Sequence, residues 1–243
     1  GETQSADVFF DMLLHLGTLI AVFIVFRKTI WELIVCLFKT IGQIFTGKFH
    51  FKDTTPMQKM IGFLIISLLP LFVIFPFKDA ITDFFYNSLL AVGIALIINS
   101  VVLFFCDRFK EGKKTAGSMK KRDALVIGIA QAIAVIPGIS RSGSTITAGV
   151  GMGVRRSEAA GYSFILSIPT ILAAVLLDIL DTVKAGELNT ELLPQYFVGF
   201  VVAAVVGFLS IKLLQYTSQP FGVCIIMPAT DLFKQCFIFN AES

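Results

Sequence analysis

The stretch ALVIGIAQAIAVIPGISRSGSTITAGVGMGV, Ala124 to Val154, decides how this chain folds. Its first part, Ala124–Ile136, is apolar but only 13 residues long. As a helix that is about 20 Å, whereas crossing roughly 30 Å of hydrocarbon takes about 20 residues. The run stops at Pro137-Gly138, a pair that breaks helices. Apolar residues resume at Ile146–Val154, and Arg155-Arg156 follow. The segment therefore reads as two half-helices around a polar break, Pro137-Gly138-Ile139-Ser140-Arg141-Ser142-Gly143-Ser144-Thr145.

The rest of the chain says what surrounds that segment. Of 243 residues, 56% are apolar (AVILMFWYC) and 15% are charged, with a mean hydropathy of +0.83. Soluble domains run near 45–50% apolar and about 25% charged. The 25 Phe alone exceed what a soluble core of this size could hide, and the remainder would form aggregating patches. Disorder, a disulfide scaffold, a coiled coil and a soluble enzyme are excluded. What remains is an all-α integral membrane protein, a polytopic helical bundle read as a single domain over 1–243. The net charge is +3, and the basic residues sit in short runs between apolar segments, so no nucleic-acid partner is expected. Cys36, Cys106, Cys224 and Cys236 form no CxxC pair and read as buried thiols.

Five stretches approach spanning length: Val8–Phe26, Ile61–Phe77, Ser88–Cys106, Ala160–Leu180 and Tyr196–Leu214. Trp31–Phe45 is amphipathic and shorter, and is expected at the interface or as a partial span. Loop charge gives the orientation. Arg27–Lys59 holds six Lys or Arg and Asp107–Asp123 holds seven, so both are expected inside. Lys78–Asn87 and Asp181–Gln195 each carry one Lys outnumbered by acids, so both are expected outside. Arg155-Arg156 belong inside by the same rule. The signs agree only if 124–154 enters from the cytoplasmic side, breaks near mid-depth and returns. That makes a re-entrant half-helix pair, and such backbone is tolerated only inside protein or beside a wet cavity.

The residue types of the break converge on an oxyanion. Arg141 supplies a permanent cation with a planar donor fork. Ser140, Ser142, Ser144 and Thr145 add hydroxyls, and Gly138 and Gly143 allow close backbone approach. A helix restarts here, with the positive end of its dipole facing the break. Phosphate or diphosphate is the expected ligand. No GKS or GKT follows, so this is not a Walker loop. The bland alternative, a tightly packed Ser/Gly-rich break, leaves a costly intramembrane Arg unexplained. Gln131 either bonds to another helix or orients a water, an ion or the loop. Asp11 and His15 stand four apart on one helix face and either pair or line the anion site as accessory residues. Asn99 is expected to link helices.

These residues carry a resemblance. Gln131–Pro137, PGISRSGST at Pro137–Thr145, GVRRSEAAGYSFILSIP at Gly153–Pro169 and FDMLLHLGT at Phe10–Thr18 resemble the bacterial undecaprenyl-diphosphate phosphatase, or bacitracin-resistance, family. The likeness covers roughly Ser5 to Phe221. It implies hydrolysis of undecaprenyl diphosphate to undecaprenyl phosphate, the lipid carrier of envelope polymers. It also implies an inverted-topology repeat, a multi-pass place in the bacterial plasma membrane, and a divalent cation, Mg²⁺ or Ca²⁺. By motif match Ser140, Arg141, Ser142 and Thr145 become catalytic, with Gly138, Gly143, Ser144 and Gln131 binding substrate. The metal ligands are not assigned, and a homodimer is left open. The family's first motif, a Glu-rich helix and a PVSSTGH-type loop, precedes the Phe10–Thr18 segment, and nothing before Val8 supplies it. This chain alone is therefore expected to be inactive or nearly so. The tail 220–243 is also atypical, because Pro228, Asp231 and Lys234 interrupt its apolar run.

Two other classes compete. An anion or lipid-phosphate channel or transporter also aims broken helices at anions. A phosphatidic-acid-type phosphatase needs a His downstream of its Arg, and His15 and His50 both lie upstream of Arg141.

Overall fold

The computed structural model describes residues 2–47, 54–86, 88–110, 112–185 and 193–216. Among them the regular structure is helical: α1 (Glu2–Phe45), α2 (Pro56–Ile74), α3 (Lys78–Tyr86), α4 (Leu89–Arg108), α5 (Lys121–Ile133), α6 (Arg141–Gly151), α7 (Arg156–Ala185) and α8 (Leu193–Tyr216). Four helical stretches are long and apolar enough to cross a membrane: Pro56–Phe77, Leu89–Arg108, Arg156–Leu177 and Tyr196–Leu213. Their outer faces stay apolar, with Phe72, Leu90, Ile97 and Phe197 exposed. Such faces suit hydrocarbon and not water. The protein is all-α and integral to the membrane.

Local chemistry sets the helix ends. Thr55 caps α2, its hydroxyl accepting from the Gln58 N–H while the Gln58 side chain accepts from the Thr55 N–H. Pro56 occupies the first turn, where its missing donor costs nothing. Ser88 caps α4 by accepting from the Ala91 N–H at 3.3 Å. Trp31–Phe45 follows a kink within α1, where Phe26 leaves helical geometry (φ −100°, ψ 17°). Beyond the kink Ile30 and Leu33 are buried and Trp31 and Phe38 are exposed. One sequence expectation changes. Lys78–Asn87, read as a loop, is largely the helix α3. The tail 220–243 lies outside the described residues.

The chain divides into two compact units, with boundaries inside α1 near Arg27 and inside α7 near Leu166. In one, the first part of α1, the second part of α7 and α8 pack through small residues. A Cβ added at Gly17 would stand 2.6 Å from the Phe200 carbonyl oxygen, and one at Gly207 would stand 3.3 Å from Ala21 Cβ. Close backbone approach of this kind replaces the hydrophobic effect, which lipid does not supply. Leu19, Ile171 and Val175 form its buried cluster, with Leu16, Phe23 and Ile168 against it.

The other unit, residues 28–166 among those described, carries the polar break. Here α5 lies against α2. A Cβ on Gly128 would stand 2.5 Å from the Ser67 carbonyl oxygen, and the Ser67 hydroxyl donates to the Ala124 carbonyl at 2.7 Å. In turn α6 runs beside α4, with Gly143 against Leu103 and Gly151 against Phe109.

Candidate active site

The two short helices form a hairpin whose open ends are fastened together by Lys114. Its Nζ donates to Asp123 Oδ2, near the start of α5, and to the Met152 carbonyl, just past α6, both at 2.7 Å. Its backbone completes the join: Lys114 N–H donates to Gly153 O at 3.1 Å, and Arg155 N–H donates to Lys114 O at 3.0 Å. Nearby, the Arg156 guanidinium donates to Asp107 Oδ1 and to the Asp107 and Phe109 carbonyls. The hairpin thus leaves and returns at one end, where the chain is rich in Lys and Arg. Burial pushes the Asp123 carboxyl up, but the Lys114 hydrogen bond, the Lys120 amide and the two lysine charges outweigh it and hold it below its ordinary value.

The break sits at the opposite end of the hairpin. Gly138 takes φ +95°, a value that favours glycine. It also packs against α4, where an added Cβ would stand 3.1 Å from Ala95 Cβ and 3.2 Å from the Val92 carbonyl oxygen. An added Cβ at Gly143 would stand 2.7 Å from Leu103 Cδ2. Both glycines thus let α4 come close. Two residues after Gly138, the Ser140 N–H donates to Asn99 Oδ1 at 2.9 Å. Asn99 does link helices, and it stands halfway along the membrane-length α4 (Leu89–Arg108). The start of α6 is therefore level with the middle of a spanning helix.

Ser140 caps α6: its buried hydroxyl oxygen accepts from the Gly143 N–H at 3.1 Å, and its carbonyl accepts from the Ser144 N–H at 2.9 Å. Arg141 and Ser142 are the first two helical residues, whose N–H groups have no carbonyl within the helix. Both are half-buried, whereas Ser140, Ser144 and Thr145 are buried. Thr145 turns back into the helix. Its Oγ1 donates to the carbonyls of Arg141 (2.9 Å) or Ser142 (3.1 Å) and lies 2.6 Å from Ser163 Oγ on α7. Gln131, one turn from the end of α5, is 2% exposed, and its Nε2 has no partner among the described residues. The Thr147 hydroxyl is orphaned in the same way. Unmet buried donors are uncommon.

The expected site residues fall in both units. Ser140, Arg141, Ser142, Gly143, Ser144 and Thr145 make one helix start, with Gln131 on the adjoining arm. His15 belongs to the other unit, half-buried on α1; Asp11 lies on the same helix, its side chain outside the described residues. No group of three His, Cys, Asp or Glu able to hold a metal occurs among the described residues. Two contributors escaped the sequence reading. Lys114 was one of seven Lys or Arg in its loop, with nothing to distinguish it. Ser163 was visible as a polar residue in an apolar run, but its partner was not.

Fold and site together define a polytopic membrane protein with an arginine-bearing helix N-terminus at mid-span. Comparison with known sequences narrows this. The chain belongs to the family described as "Bacitracin resistance protein BacA", which matches residues 1–226. A protein named undecaprenyl-diphosphatase from Methanosphaera stadtmanae is 39% identical over 209 residues, covering 84% of this chain and 74% of that one. Another of that name from Alkaliphilus metalliredigens is 32% identical, covering 88% and 77%. A third, from Parabacteroides distasonis, is 37% identical, covering 78% and 71%.

Proposed function

We propose that this chain hydrolyses undecaprenyl diphosphate, releasing inorganic phosphate and leaving undecaprenyl phosphate. The observation that carries the proposal is the start of α6: Arg141 and the first amides of a capped helix stand level with the middle of α4. A lipid diphosphate brings concentrated negative charge to the membrane, and phosphoryl transfer is catalysed chiefly by positioning and charge stabilisation. Arg141 clamps the phosphoryl oxygens with its fork. The Ser142 hydroxyl and the first amides of α6 donate beside it, and the Gln131 carboxamide supplies a further donor. Ser140 and Thr145 hold the geometry of the turn. A divalent cation, Mg²⁺ or Ca²⁺, would supply additional neutralisation when bound.

The proposed setting is the bacterial plasma membrane, with the hairpin re-entrant from the cytoplasmic face. Supporting this are the shortness of both helices, their common fastening on Lys114 and the basic character of that end. The transporter alternative has no observation in its favour. The test is phosphate release from a short-chain polyprenyl diphosphate in detergent, where no gradient exists. It is run with this chain beside its Arg141→Ala variant. Release by the chain, lost in Arg141→Ala, supports the proposal. No release, with anion flux in liposomes, moves the function to transport. Undiminished release from Arg141→Ala removes the assigned role of the arginine.

A further inference from the structure

Two consecutive residues of α7 hold the two arms of the hairpin. Tyr162 Oη lies 2.8 Å from Ser67 Oγ, whose hydroxyl donates to the Ala124 carbonyl of α5 at 2.7 Å. Ser163 Oγ lies 2.6 Å from Thr145 Oγ1 of α6. All four side chains are buried, so these contacts exclude water and set the register of α5 and α6 against one common helix.

The second contact reaches the phosphate site. Thr145 Oγ1 stands 2.9 Å from the Arg141 carbonyl and 3.1 Å from the Ser142 carbonyl. These are the backbones of the two residues that present the charge and the first hydroxyl. The Thr145 hydroxyl has a single proton. When that proton goes to a carbonyl of the first turn, Ser163 donates its own proton to the Thr145 oxygen. Ser163 thereby fixes which way the Thr145 hydroxyl turns, and with it the first turn of α6. We propose that Ser163 is a positioning residue for the anion site, acting through Thr145 to hold Arg141 and Ser142 in register. This inference rests on the phosphate-site reading above.

The chemistry suggests a test that separates positioning from packing. Removing one hydroxyl of a buried pair orphans the other and destabilises the protein, while removing both with little change of shape is nearly neutral. Wild type, Ser163→Ala, Thr145→Val and the double variant are purified as the full chain in detergent. Each is measured for melting temperature, for affinity toward methylenediphosphonate (a diphosphate that cannot be hydrolysed) and for KM and kcat with a short-chain polyprenyl diphosphate. Both single variants are expected to melt lower and bind more weakly. The double variant regains its melting temperature, yet its affinity stays about tenfold or more below wild type, because an angstrom of misplacement is costly. Recovery of affinity together with stability overturns the proposal, since the pair then only packs. Wild-type affinity in the single variants overturns it as well. Failure of wild type to bind the diphosphonate overturns the phosphate-site reading itself, and this inference with it.

Discussion

Replacing Lys114 with Met tests whether one side chain closes the hairpin. The change keeps much of the aliphatic stem and removes the ammonium. Asp123 loses its 2.7 Å partner, and the Met152 carbonyl loses a donor. The Asp123 side chain is 6% exposed and that of Lys114 33%, so the pair lies between two limits. Exposed ion pairs contribute about 0–1 kcal/mol, and breaking a buried pair costs about 3–5 kcal/mol. Asp123 keeps the Lys120 N–H at 3.0 Å, which argues for roughly 2 kcal/mol, between those limits. For a chain of this length, that lowers the melting temperature by roughly 4–8 °C. The assay is thermal unfolding in detergent followed by helical circular dichroism. A second variant adds Asp123→Asn, which removes the stranded charge, and recovery of at least half the loss is expected. A Lys114→Met protein melting within about 1 °C of wild type would refute the reasoning, since 2 kcal/mol cannot hide in that interval. So would a double variant that melts below the single one.

Other outcomes follow from the same contacts. Asp123 titrates below its ordinary value, so its contribution is complete above the unfolded carboxylate value, near pH 4, and is lost as pH falls through the lower folded value. Melting temperatures of wild type and Asp123→Asn should therefore converge on acidification from about pH 5 to pH 3; a constant gap would contradict the assigned direction. Gly128→Ala sets a Cβ 2.5 Å from the Ser67 carbonyl oxygen. Overpacking costs about 1–3 kcal/mol, which exceeds the roughly 1 kcal/mol that Ala gains over Gly in a helix, so unfolding should come earlier. A stabilised Gly128→Ala protein would mean that α2 and α5 are not so close. Ser140→Ala removes the cap of α6, a loss of about 1 kcal/mol, and should weaken diphosphonate binding along with stability. Unchanged binding would separate the cap from the site.

How much of this was legible beforehand differs between fold and site. Composition alone established a helical membrane protein, because 56% apolar residues leave no soluble option. The Pro137-Gly138 break and the short apolar runs on either side were visible because local chemistry decides them: a ring that removes a donor, a residue that accepts φ +95°, a serine that caps. The oxyanion character of Ser140–Thr145 was legible for the same reason, since a guanidinium and hydroxyls in one turn imply their ligand. Three things were not. The kink of α1 at Phe26, where the chain passes from one unit to the other, depends on what each part packs against, which periodicity does not report. Gly138 and Gly143 were read as room for a ligand, and that each also lets α4 come close is told only by the packed structure. Lys114 with Asp123 and Met152, and Ser163 with Thr145, join residues 9, 38 and 18 positions apart. Sequence spacing within one element predicts neighbours; contacts between elements arise when helices dock, and docking decided which hydroxyls hold the turn.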